Sequence, residues 1–514
     1  MNVRPSIKTL YDLCRQPLPV TDGGNSITVS AAMRRVAFAY ERFRNTLEPD
    51  EEDVLRRKAI ARILDRRLAD NHSDSATAIA LLQEMIRGNY IKGVNNETLQ
   101  RIIQEITNLR LVSAKVPAGI QDWFMRVGAV SIDRELYPKF REEYLVQLFY
   151  YDAYRRTVWT DELVAEEDRP AQLYVACHRA LFAADNYEIS YHYFINYLPD
   201  WKKKLVTEAD AVTIAREISS FFPKIEKILT HPARQRLTYL LRRPAVPYRV
   251  LRDVFQSTES DPLASADVLE KAVVSSMNDR QKKLKDRMTR RANHSILFLL
   301  CTKTILTLLI ELPYELFLLK QFYLLPFATN IFFHPLLLFV FSTSVRFPGA
   351  ENTKAVVEKI NNLVTDDGDG ETIVVNAPRH YGSVTWAGFA IFYAVLFMSI
   401  FWGLFTLLDY FHFSLVAIAL FIIFLGLVSF LAVRIRRSAD ETRMVAKREG
   451  TVSIMGSFLA LPVLEFGSWL AQNISQVNII LFLMDRILEA PFKLFIDITE
   501  EWFVFVRDRR EEIL

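Results

Sequence analysis

The residues of this chain with the greatest chemical potential are four ionisable side chains set in apolar text: Lys303, Glu311, Glu315 and Lys320. A charge at the centre of a bilayer costs at least about 2.5 kcal/mol even on the lenient insertion scale, so such a group calls for a partner or a task. Lys303 precedes Glu311 by eight residues, Glu315 lies one turn further on across Pro313, and Lys320 follows. Two readings stand. In one, the cluster is a buried ion pair or proton-linked site at a proline-broken helix, an arrangement used by transporters. In the other, the first crossing ends near Glu311, and Glu311, Glu315 and Lys320 are wetted at the external interface. The second asks less of the sequence, because no inverted repeat of the motif appears in the later apolar blocks.

Other chemistry is sparse. H-E-x-x-H, G-x-x-x-x-G-K-[ST], G-x-G-x-x-G and G-x-S-x-G are all missing from the sequence, so no cofactor and no enzymatic activity is expected. His72, His178, His192 and His231 lack carboxylates at metal-ligand spacing, and Cys14, Cys177 and Cys301 fall in no zinc or redox spacing. His178 follows Cys177 directly, and neighbours on a helix diverge by about 100°, which argues against a thiolate-imidazole pair. In TDDGDGE, Asp366, Asp367, Asp369 and Glu371 cluster. A calcium loop counted from Asp367 would put Thr372 where Gly is required and Pro378 where an acid is required, so a polar turn is the better reading.

The elements that must position the four charges are apolar blocks. Ser295 to Leu312 and Leu316 to Val345 read as a membrane-inserted pair with Pro313 at the break. Val384 to Leu408 and Phe413 to Val433 contain no charge and read as a second pair. Arg280, Lys282, Lys283, Lys285, Arg287, Arg290 and Arg291 precede the first block, and Arg434, Arg436, Arg437, Arg443, Lys447 and Arg448 follow the fourth. The positive-inside rule puts both clusters in the cytoplasm, leaves the loop from Arg346 to Gly382 inside and makes Asp409 to His412 an external turn. The first cluster is also suited to contact anionic lipid. Val452 to Ala471 is long enough to span but holds Pro462 and Glu465, so four and six crossings both remain open. With either number the two termini are cytoplasmic.

Before Asn293 the pattern is helical almost throughout. Apolar stripes run from Ser30 to Leu47, Asp50 to Asp70, Asp74 to Arg87, Asn96 to Leu111, Arg134 to Tyr154, Ala171 to Ala184, Thr207 to Phe222 and Lys224 to Leu241. The aromatic stretch from Tyr144 to Trp201 reads as a packed helix-helix core rather than a nucleic-acid stacking platform, because few basic residues interleave it. The fold expected is all-α, a large cytoplasmic helical domain followed by a polytopic α-helical membrane domain of four to six crossings. Its divisions are a tail (1–25), the helical domain (26–243, with a joint at 113–119) and a linker with a basic juxtamembrane helix (244–293). The first membrane pair (294–345), a cytoplasmic loop (346–382), the second pair (383–434) and a C-terminal region (435–514) complete the chain. That last region ends in an amphipathic helix whose apolar stripe, Phe492, Phe495, Ile496, Trp502, Phe503 and Val506, suits the membrane interface.

Lys plus Arg number 63 and Asp plus Glu 60, a net charge of +3, too near neutral for a chain that coats nucleic acid. Three cysteines exclude a disulfide scaffold, and 12% aromatic content excludes wholly disordered classes. The expected partners are the lipid bilayer and either another protein or a second copy. The function expected is that of a multi-pass membrane-anchored scaffold acting through its cytoplasmic helical domain. The alternative is a transporter or channel component using the intramembrane Lys/Glu cluster.

Overall fold

The structure is a computed structural model and describes residues 2–17, 52–69, 73–160, 163–257, 260–365, 371–376, 382–445, 451–476 and 502. The described residues form two compact units, each considered separately.

The N-terminal unit covers Val3–Tyr248 together with 368–376. Its helices are α1 (Pro5–Arg15), α2 (Glu52–Ala69), α3 (Asp74–Arg87), α4 (Asn96–Ser113), α5 (Ala118–Leu136), α6 (Phe140–Arg156), α7 (Arg169–Phe182), α8 (Asn186–Tyr197), α9 (Glu208–Thr230), α10 (Arg234–Arg242) and the start of α11 (Ala245–Ser257). Side-chain oxygens fix the helix starts: Ser73, Asn95, Asp185 and Thr207 each accept from a backbone N–H in the first turn. One hydrophobic core runs from Ala59 to Leu229. It passes straight through 113–119, so that segment is a tight helix-helix connection inside one core and not a joint. β1 (Thr157–Trp159) pairs in parallel with β2 (Ile373–Val375), a short strand that follows the acidic run; the acids at 366, 367 and 369 lie outside the described residues.

Several boundaries differ from those expected. Residues 5–15 are not a tail but a helix that buries Ile7, Leu10 and Cys14, while Arg4 donates to both carboxylate oxygens of Asp152 at 3.0 and 2.7 Å. The stripe from Arg134 to Tyr154 is two helices, because Tyr137, held extended before Pro138, ends α5. Conversely α9 continues through Pro223: its buried face, Ala211, Ala215, Ile218, Phe221, Ile225 and Leu229, is unbroken, and the proline itself is exposed. The stretch from Pro244 to Asp267 is not a plain linker. It holds α11, where Pro247 lies in the first turn and needs no intrahelical donor. The stripe from Ser30 to Leu47 lies outside the described residues.

The apolar unit covers Arg249–Asp367 and 377–478. Its helices are α12 (Ala266–Leu306), α13 (Leu324–Thr343), α14 (Ala350–Thr365), α15 (Ser383–Tyr410), α16 (Leu415–Ala439) and α17 (Thr451–Gln476). α12 continues through two π turns, Thr307–Glu311 and Tyr314–Leu319. Four stretches are long and apolar enough to cross a membrane: Ala266–Leu319, Leu324–Thr343, Ser383–Tyr410 and Leu415–Thr442. The whole chain is thus almost entirely helical among its described residues.

The break in the first pair is at Lys320, not Pro313. Lys320 takes a left-handed backbone (φ 51°), and the N–H groups of the chain reversal there turn back to the Glu315 carbonyl. Pro313 stays helical because i→i+5 turns before and after it open the ladder where its missing N–H and bulky ring would clash with a regular helix.

The two ends of the apolar unit are distinct. At one, the reversals after α12 and α15 meet, with the Tyr323 and His412 rings stacked at 5.2 Å and 18°. At the other, Gln281 donates to the Pro348 carbonyl (3.1 Å), Arg249 to the Glu441 carbonyl (2.8 Å) and Asn352 to the Thr442 carbonyl (2.8 Å), while the Asn352 side-chain oxygen accepts from the Met444 and Val445 N–H groups. α17 packs on α16 through Gly426 and Gly467, where a Cβ on Gly467 would sit 2.0 Å from the Gly426 carbonyl oxygen. Such small-residue contacts let helix backbones approach in lipid.

Candidate functional site

Lys303, Thr307, Glu311 and Glu315 follow one another at four-residue steps along the first apolar stretch, and all four are buried. A regular helix has 3.6 residues per turn, so each four-residue step overshoots a turn by about 40°, and three such steps would carry Glu315 about 120° away from Lys303. The two π turns wind less per residue and cancel this drift. They hold a ladder of polar side chains on one face.

α13 presents Asn330 and His334, also four apart and fully buried, to this ladder. Lys303 Nζ meets His334 Nδ1 at 2.5 Å, and His334 Nε2 lies 3.0 Å from the Phe421 carbonyl of α16. A carbonyl only accepts, so Nε2 carries the ring proton and Nδ1 is the acceptor for the lysine. The Lys303 ammonium also lies 5.4 and 5.0 Å from the Phe421 and Phe424 ring centroids, within cation-π range. Further towards the reversal end, Asn330 Nδ2 donates to Glu311 Oε2 at 2.5 Å and approaches the Ala417 carbonyl at 3.4 Å. Below Lys303 the face turns wholly apolar, with Leu299, Leu338, Phe424 and Val428 packed in one layer.

The four charges singled out in the sequence therefore separate. Lys303, Glu311 and Glu315 lie inside the protein, whereas Lys320 is exposed at the reversal and takes no part. Lys303 and Glu311 form no ion pair: eight residues give a rise of at most about 12 Å along the axis, and each is hydrogen-bonded to a neutral partner, His334 and Asn330, while still acting on the other through its charge. Sequence reading missed both of these partners. Their signal was two hydrogen-bonding side chains four apart in an otherwise apolar block of helix length.

On the basic stretch of α12, Lys282, Lys283, Lys285, Arg287, Arg290 and Arg291 are exposed, while Leu284, Met288 and Ala292 are buried on the opposite face. Arg280 differs, being half-buried and paired with Asp253. The residues of the C-terminal amphipathic stripe lie outside the described residues except Trp502, which is exposed.

The N-terminal unit gathers ionisable groups in another way. Glu188 accepts from Arg134 (2.6 Å) and Arg57 (3.0 Å), with Lys139 at 3.6 Å. Burial pushes this carboxyl up, but Lys139, Arg57 and Arg134 outweigh burial and bring it down to about 2. The His178 and His192 rings, separate in sequence, lie 4.6 Å apart. Burial lowers His178 to about 4; burial, then His178 and Arg134, lower His192 to about 2. Cys177 is buried and its thiol is pushed up by that burial, the setting of an inert cysteine. Among the described residues no group of three or more His, Cys, Asp or Glu could hold a metal.

No protein-family profile, curated protein sequence or solved structure matches this chain.

Proposed function

We propose that the chain is a multi-pass membrane protein and a transporter or channel component, whose charged species is handled by the ladder of Lys303, Thr307, Glu311 and Glu315 against Asn330 and His334. The observation that carries this reading is the burial of four ionisable side chains, Lys303, Glu311, Glu315 and His334, at the core of a largely apolar bundle. Groups of this kind are costly in a membrane and face substrate or ion pathways when retained. A bilayer is needed in any case: α15 exposes Val384, Trp386, Met398 and Trp402 around its circumference, far more apolar surface than water tolerates.

The described parts of both basic clusters, 280–291 and 434–443, belong to the end of the apolar unit where Gln281, Pro348, Asn352 and Glu441 meet, and the two reversals belong to the other. With positive charge inside, this gives four crossings from Ala266 to Thr442, external reversals at 320–323 and 411–414, and a cytoplasmic N-terminal unit. The test is reconstitution of the full chain into proteoliposomes under ion gradients and membrane potentials, beside Glu311→Gln. Flux in the native protein that the variant loses is expected; no flux under any gradient, or flux that Glu311→Gln leaves unchanged, overturns the reading. Reporter fusions at Arg291 and Arg437 should both report cytoplasm.

A second reading concerns the N-terminal unit alone, as a module that binds a protein partner. It is favoured by Tyr151 and Tyr154 on α6 and Tyr239 on α10, each more than half exposed, a residue type favoured where proteins bind one another. A stoichiometric partner co-purifying with the native chain, and lost when these tyrosines become Ser, is the expected result.

A further inference from the structure

Among the described residues, the groups facing the interior site come from three helices. α12 and its π turns supply Lys303, Thr307, Glu311 and Glu315; α13 supplies Asn330 and His334; α16 supplies the Ala417 and Phe421 carbonyls and the Phe421 and Phe424 rings, with Ser414 just before it beside Glu315. α16 brings no charged side chain to this face.

The balance of donors and acceptors is lopsided. Towards the reversal end, among the described residues, Asn330 Nδ2 reaches Glu311 but is shared with a backbone carbonyl, and the Ser414 hydroxyl is the donor beside Glu315. Glu311 Oε1, Glu315 Oε2 and Asn330 Oδ1 are buried with no hydrogen-bond partner, and the Thr307 hydroxyl beside Glu311 makes none at bonding geometry either. Lys303 is turned away to His334 and two phenyl rings. A buried acceptor with no donor costs roughly 1–3 kcal/mol, and more when it is charged.

Two kinds of ligand relieve an excess of buried oxygens. A metal cation needs oxygens converging on it, yet the Asn330 amide turns its nitrogen, not its oxygen, to Glu311. A proton needs only a carboxyl: once protonated, the group gains an O–H donor and keeps an acceptor, and the Thr307 oxygen and Asn330 Oδ1 are acceptors in want of such a donor. Building on the reading of this ladder as a charge-handling membrane site, we propose that Glu311 and Glu315 are proton-binding groups and that the ligand of the site is the proton. Their positions fit the task. Glu315 lies nearest the reversal end, Glu311 one step of about 6 Å further in, and the layer of Leu299, Leu338, Phe424 and Val428 closes the far side.

The test is infrared difference spectroscopy on the full chain in lipid nanodiscs, between mildly alkaline and mildly acidic buffer. A protonated-carboxyl C=O band should rise on acidification and shift in deuterium oxide. Glu311→Gln and Glu315→Gln should each remove part of it, and the double variant should lose it against a retained background from other carboxyls. Lys320→Met, at the exposed reversal residue that takes no part in the ladder, should keep it, which separates a lost proton site from a generally disturbed bundle; folding of each variant is checked by elution profile and melting. A double variant with an unchanged spectrum overturns the proposal, as does a carboxylate signal that follows sodium or potassium at fixed pH. The outcome is separable from the transport reading: flux of another ion without the band overturns the proton and leaves transport, whereas a titrating band without flux does the reverse.

Discussion

The two units bury charge by opposite means. In the N-terminal unit Asp133 meets Arg56, Asp152 meets Arg4, Glu84 meets Arg66 and Arg67, and Glu188 meets Arg57 and Arg134, all as direct ion pairs. In the interior of the apolar unit no such pair forms among the described residues, and Lys303 and Glu311 are held by an imidazole and an amide. An ion pair fixes both partners in their charged forms, since removing either one strands the other. A charge held by a neutral partner can be lost without stranding a counter-ion. The first arrangement is architecture; the second leaves a protonation state free to change.

The largest expected effect lies on the architectural side. Glu188→Gln strands Arg134, while Arg57 keeps Asp185 and Lys139 keeps Asp53, and breaking a buried pair this way costs about 3–5 kcal/mol, read as a drop in the denaturation midpoint of the N-terminal unit within the full chain. A loss below about 1 kcal/mol, the range of exposed pairs, would mean that this network is no firmer than a surface one.

Next comes acid. His178 and His192 are lowered in the folded state, so the unfolded chain takes up protons first as pH falls through its ordinary histidine range near 6.5, and stability declines from there towards about 4 for His178 and about 2 for His192. Glu188 is likewise lowered, from 4.5 to about 2, so its contribution is present above its unfolded value and is lost between about 4.5 and 2. Melting of the N-terminal unit should therefore weaken in two stages. His178→Phe should blunt the first stage and leave the second. A profile flat from neutral to pH about 4 would show that the histidines are not buried neutral.

A smaller effect is expected on α12. Its exposed basic residues stand opposite a buried face, and near an anionic surface each adds about 1 kcal/mol or less. Addition of phosphatidylglycerol to the full chain in detergent should raise its melting temperature more than phosphatidylcholine does. Lys282→Gln and Lys285→Gln should each trim that difference, while Arg280→Gln should act chiefly by removing one of the two arginines, Arg252 and Arg280, that hold Asp253. Equal stabilisation by both lipids would reduce the cluster to an orientation signal.

What could be read from sequence follows how local the governing physics is. Asp74–Arg87 was legible to the residue because Ser73 caps it and one apolar stripe runs its length. The prolines show the limit. Pro138 ends a helix and Pro223 does not, and the difference is a buried face that continues past 223 into the shared core, which no local pattern reveals. The apolar blocks were plain, and the charges within them drew attention, but their geometry depends on two π turns and on Asn330 and His334 across the bundle. Eight-residue spacing alone suggested that Lys303 and Glu311 neutralise each other. The three-helix packing gave each of them a different partner.

That separation yields the finest prediction, a double-mutant cycle run in both units. Arg134→Met and Glu188→Gln touch groups in direct contact, so their effects should fail to add by roughly 1–3 kcal/mol. Lys303→Met and Glu311→Gln remove groups separated by a rise of at most about 12 Å that share no hydrogen-bond partner and act on each other only through charge. Two full charges at that distance would still couple by about 1.4 kcal/mol at an effective dielectric of 20. If Glu311 carries a proton, that coupling vanishes and the two effects should add to within about 0.5 kcal/mol. Thermal melts of the full chain in nanodiscs, in mildly acidic and then alkaline buffer, supply the numbers. Additivity in acid that gives way to coupling once Glu311 loses its proton, while Lys303 still holds its own, is the expected pattern, for it places the acid-state proton on Glu311. Coupling of the same size in both buffers would mean that Glu311 is ionised throughout, and the contrast between the two units would then be one of distance alone.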